Sequence, residues 1–108
     1  MDDSTSLHYS EELTRAVDML RSMPIPKLSR PVGDSGSTRA ECARDVAQFL
    51  ADLAADAEGG PRRVIPDVGD PAVGDQLAVT GRDLVRSECG EQVKQAAAER
   101  LRALRLAI

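Results

Sequence analysis

An all-α fold, a small bundle of three to four helices, is the architecture this sequence predicts, and three observations carry it. The chain holds one Tyr, one Phe and no Trp in 108 residues. A core without aromatics must come from closely packed Ala, Leu and Val, which suits helices better than sheets. Apolar residues recur at helical spacing over several stretches. Capping signals open these stretches, and Pro or Gly closes them.

Residues 1–9 are polar and are expected to form a disordered tail. That leaves 10–108 as a single helical domain, long enough to bury a core without disulfide or metal support. Ser10 is placed to cap a first helix, with Glu11 and Glu12 favoured near its positive end. Leu13, Ala16, Val17, Leu20 and Met23 follow helical spacing, and Pro24 stops the run. From residue 24 to residue 37 come three prolines and two glycines. This stretch is expected to be a mobile linker, since no run in it fits helix or strand.

Thr38 and Glu41 form a capping-box pattern opening the clearest helix in the chain. Cys42, Val46, Phe49, Leu50 and Leu53 mark its buried stripe, widened by Ala43, Ala47, Ala51 and Ala54. Gly59-Gly60-Pro61 ends it. Residues 64–69 read as a short extended segment with no partner strand. Asp70-Pro71 reads as an N-cap with proline at the first helical position. Val73, Leu77, Leu84 and Val85 continue a helical face to Arg86, although a strand over 77–80 is the alternative. Gly74 and Gly81 weaken that helix by about 1 kcal/mol each relative to Ala. After Gly90 a last helix runs from Glu91 to Leu106, with Val93, Ala97, Leu101 and Leu104 on one face.

Composition narrows the functions. Net charge is −4, with the acidic excess in residues 1–60 and a slight basic excess after it. This argues against nucleic acid and for a protein partner or a second copy. Only Lys27 and Lys94 are lysine. With abundant Ala, Asp and Val, that points to a GC-rich bacterial origin. No stretch reaches the roughly 18 apolar residues of a membrane span, and no secretory signal opens the chain. A cytoplasmic location with reduced Cys42 and Cys89 is therefore expected.

Several residues invite chemistry. Gly33-Asp34-Ser35-Gly36 copies the residues around the nucleophile of chymotrypsin-like serine proteases, but the one histidine, His8, lies in the expected tail, and a serine nucleophile needs a positioned base. Asp34-Ser35 ahead of a helix, with Val64-Ile65-Pro66-Asp67 later, resembles the attachment loop of acyl carrier proteins. That resemblance implies a phosphopantetheine arm on Ser35, and Gly36 departs from it where that family has Leu or Ile. Gly33 to Arg39 offers hydroxyls, glycines and a helix N-terminus to an anion, without the Gly-Lys-Ser/Thr ending of a phosphate loop. Cysteine and histidine spacing gives no zinc motif. Arg100, Arg102 and Arg105 are candidates for phosphate contacts, but Arg100 and Arg102 point to different sides of a helix. Helical hairpins of type VII secretion share this size, but their Trp-x-Gly turn is absent.

No catalytic, cofactor or metal residues are assigned. The expected function is a small protein–protein interaction domain: an adaptor, regulator or accessory subunit without enzymatic activity, and a homodimer or a waiting partner. Its candidate interface is the C-terminal helix, where Leu101, Leu104 and Ile108, flanked by Lys94 and Arg105, run to the chain end with nothing after them to cover them. The alternatives are a DNA-binding regulator or antitoxin, and an acyl-carrier-like or small-ligand-binding module.

Overall fold

The structure, a computed structural model, describes residues 3–108. Five helices form: α1 Asp3–Ser22, α2 Ile25–Leu28, α3 Arg39–Glu58, α4 Val73–Arg86 and α5 Glu91–Ala107. Among the described residues there is no β-strand, and the protein is all-α as its composition predicts. One buried cluster joins the helices, with Tyr9, Leu50, Leu77, Leu84 and Leu101 its largest fully enclosed side chains.

Side-chain contacts fix how the helices run. Ser6 with Lys94 and Glu12 with Arg105 lay α1 beside α5 in the same sense. Tyr9 with Gly81 and Arg21 with Asp75 set α1 antiparallel to α4. Arg39 with Ile108 and Arg100 over the Phe49 ring set α3 antiparallel to α5. α3 and α4 pack closely and, by these pairings, share one sense. The chain must therefore travel back along α3 before α4 can start.

It does so as a strap, residues 60–69. Arg62 meets Asp56, Ile65 meets Gln48, and Asp67 meets Arg44, each step further back along α3. The five steps from Arg62 to Asp67 reach about 17 Å when extended. The stretch of α3 they follow, from Asp56 to Arg44, is about 18 Å at 1.5 Å per residue. The strap thus runs extended between these anchors.

Several expected elements hold. Thr38 caps α3: the Glu41 amide donates to Thr38 Oγ1 at 3.1 Å, and the Thr38 amide donates to Glu41 Oε1 at 2.9 Å. Gly59 closes α3 in the left-handed region, φ 71°, which a glycine adopts without steric cost. The α3 stripe is rotated toward its small residues. Ala40, Ala43, Val46, Ala47, Leu50 and Ala54 are buried, whereas Cys42, Phe49 and Leu53 lie at its margin.

Others are corrected. The expected tail over 1–9 is helix from Asp3 onward, and residues 1 and 2 lie outside the described residues. The reason is Tyr9: it is 1% exposed and its hydroxyl donates to the Gly81 carbonyl at 2.8 Å. The segment 24–37, read as fitting no helix or strand, holds α2 and buries Leu28 in the core. It then folds into a small hairpin in which the Val32 amide donates to Ser37 O at 2.8 Å. Asp70 is not an N-cap: it opens a 3₁₀ turn, Asp70–Ala72, and its carboxylate accepts from Ser29 Oγ at 2.7 Å. Residues 77–80, the alternative strand, belong to α4.

Gly74 and Gly81, weak points by propensity, are positions of close approach between α1 and α4. A Cβ at Gly81 would stand 2.5 Å from Leu13 Cδ2, and one at Gly74 3.0 Å from Arg21 Cγ.

Candidate functional site

The C-terminal helix does not present the surface expected of it. Leu101 is fully buried and Leu104 is 4% exposed. Arg105 Nε donates to Glu12 Oε2 at 3.3 Å, and Lys94 Nζ donates to Ser6 Oγ at 3.0 Å. Ile108 packs against the core while its backbone oxygen accepts from Arg39 Nε. The expectation that nothing covers Leu101 and Leu104 is corrected: α1, which begins at Asp3 rather than beside Ser10, covers this face. Glu12, expected to serve only the helix dipole, is 3% exposed and enclosed in this seam with Arg105 and Arg15.

Leu7, Ile25, Val85 and Leu106 are exposed, but apolar surface gathers around clefts along the strap. Ile65 turns inward and packs against the core, while Val64 is 90% and Val68 59% exposed. On α4, Val79 is 54% exposed. Between strap and α4 lies a cleft of about 370 Å³, lined by Ile65, Pro66, Val68, Ala72, Val79 and the polar Asp75, Gln76 and Thr80. Between strap, α3 and α4 lies a second cleft of about 640 Å³, lined by Ala51, Ala54, Ala55, Val64, Ile65, Pro66 and Asp83.

Side-chain amides hold the strap where a neighbouring strand would. Gln48 Nε2 donates to Arg63 O and Gln48 Oε1 accepts from the Ile65 amide, both at 2.9 Å. One primary amide thereby pairs with an N–H and a C=O of the strap, as a ladder partner does. Gln76 Nε2 donates to Pro66 O at 2.7 Å. Arg44 Nη2 stands 3.1 Å from Asp67 Oδ1 and 3.7 Å from Asp70 Oδ1. These are charge pairings without hydrogen-bond alignment, since Arg44 Nε and Nη2 make no hydrogen bond. Arg62 donates to both Asp56 oxygens and holds that carboxyl below its ordinary range.

The residues that invited chemistry are occupied locally. Ser35 Oγ donates to Val32 O at 2.7 Å and accepts from the Ser37 amide at 3.2 Å, stitching its own turn. His8 lines a shallow cleft with Ser4, Thr5, Gln95 and Glu99. The N-terminus of α3 carries the Glu41 carboxylate of its capping box, a negative charge where an anion would sit. Cys42 and Cys89 are free thiols. Burial, then Asp45 and Glu41, push the Cys42 thiol up, which suppresses its thiolate. Among the described residues no three His, Cys, Asp or Glu side chains are grouped to hold a metal ion, and no helix is long and apolar enough to cross a membrane. Of the three α5 arginines, Arg100 stacks on Phe49, Arg105 pairs with Glu12, and Arg102 is exposed.

No protein family, curated protein or solved structure matches this chain.

Proposed function

We propose that this chain is a small protein-interaction module, an adaptor, regulator or accessory subunit, and that its partner binds the valine-lined edge between the strap and α4. The observation that carries this reading is the gathering of exposed Val64, Val68 and Val79 around two adjoining clefts, whereas the other exposed large apolar side chains, Leu7, Ile25, Val85 and Leu106, line neither cleft. Contiguous apolar surface of this kind marks binding sites in folded domains.

The test is a Val68→Ser, Val79→Ser double variant, purified beside wild type after cross-linking in the source cells. Both proteins should melt alike, because neither valine is core. The expected result is a cross-linked partner with wild type and none with the variant. If that species has twice the chain's mass and contains only this chain, the partner is a second copy. Equal cross-linking by both proteins would move the interface elsewhere.

A further inference from the structure

Resting on that reading, we propose that the strap is a built-in occupant of the partner's site: a partner docked at the valine edge displaces it from α3 and α4, and an extended partner segment carrying an aliphatic–proline pair takes its place. Three independent features support this.

The first is how the strap is recognised. Gln48 reads both an N–H and a C=O of its backbone, Gln76 reads the Pro66 carbonyl, and Ile65 is the one strap side chain turned onto the core. None of these contacts requires the strap to belong to the same chain. A segment with isoleucine and proline in the same order meets every one of them, in the manner of extended-peptide recognition.

The second is the quality of the fit. Among the described residues, the buried side-chain polar atoms with no hydrogen-bond partner are Arg44 Nε, Arg44 Nη2 and Gln76 Oε1. All three belong to side chains that hold the strap. Leaving buried donors and acceptors unpaired weakens the state that buries them, so the closed strap is held less firmly than its contacts imply.

The third is freedom to move. Two clefts of about 370 and 640 Å³ border the strap. It lies outside both helices, so it can lift while they stay folded.

The probe is a synthetic peptide of the strap itself, residues Pro61 to Gly69, carrying a fluorophore and titrated into the full chain. The tethered strap competes at an effective concentration of about 1 mM, so wild type should bind the peptide weakly. Ile65→Asp unseats the tethered strap, and should bind the wild-type peptide at least about tenfold more tightly. Adding Gln48→Ala should abolish that gain, and a peptide with aspartate at the isoleucine position should not bind. If Ile65→Asp does not fold, Ile65→Ala serves for the same comparison. A folded Ile65 variant that binds no peptide up to about 1 mM, or binds it no better than wild type, overturns the inference. The two readings fail separately. Loss of partner on the valine variant without peptide binding keeps the surface and rejects displacement, whereas peptide binding with an undisturbed partner does the reverse.

Discussion

The seam between α1 and α5 and the edge between the strap and α4 use similar residues, aliphatic side chains beside charged ones, yet one is sealed and the other open. At the seam each helix carries a continuous stripe, so Leu101 and Leu104 meet α1 and are enclosed, and Glu12 and Arg105 pair across it. At the edge one of the two elements is extended. An extended chain turns alternate residues to opposite faces, so seating Ile65 obliges Val64 to face outward. The difference teaches that apolar content does not decide where this molecule is open. The geometry of the element facing each helix decides it.

Opposite responses to one added charge would sharpen the contrast most. Leu104→Asp removes a core side chain and buries a carboxylate, a loss of more than about 5 kcal/mol that matches the whole stability of many small domains. Circular dichroism should show it unfolded. Val79→Asp places the same charge on an exposed α4 position and should change stability by less than about 0.5 kcal/mol. A folded, monomeric Leu104→Asp beside a self-associating wild type would restore the C-terminal helix as an interface and break the contrast.

Within the seam, the two members of the ion pair should not be equivalent. The Glu12 side chain is 5% exposed and the Arg105 side chain 23%. Arg105→Ala strands a carboxylate that cannot reach water, with Arg15 at 3.8 Å as its remaining cation. A loss of about 2 kcal/mol is expected in urea titrations. Glu12→Ala leaves a guanidinium that can reach solvent, and about half that loss is expected. The reverse order would mean that the seam is wetter than the structure shows.

Much of this architecture is legible in the sequence, and what is not has a physical reason. Thr38, Glu41 and Gly59 declare α3 through local backbone chemistry, and the last helix follows from its spacing alone. Two of the misreadings have one cause. Ser10 is a good capping residue, so the sequence places the helix start there and leaves the apolar face of α5 without a cover. What extends α1 to Asp3 is Tyr9, whose hydrogen bond is to a residue 72 positions away, and no local signal reports such a contact. The strap is legible as an extended segment, but its partners are not: Gln48 and Gln76 read as ordinary polar helix positions until the parallel course of α3 and α4 brings the chain back past them.

A smaller effect concerns Tyr9 itself. Burial, with a contribution from Cys89, raises its hydroxyl pKa well above the ordinary 10.0. The folded state thus favours the protonated form more strongly than the unfolded chain does. This contribution is complete below about pH 10 and is lost as pH rises through the raised folded value. Tyr9→Phe should cost about 1 kcal/mol at neutral pH through the lost bond to Gly81 O. The stability difference between wild type and Tyr9→Phe should shrink above about pH 10. A difference that stays constant to high pH would show that Tyr9 is not enclosed.

Native-state hydrogen exchange compares the two regions in one sample. The Leu101 amide, in the sealed seam, should exchange only through global unfolding. The Ile65 amide, held by Gln48 Oε1 at 2.9 Å, should exchange through local opening of the strap, at a free energy at least about 2 kcal/mol lower. Equal protection at Ile65 and Leu101 would show that the strap does not open independently of the core, contradicting both the contrast and the exchange of strap for partner.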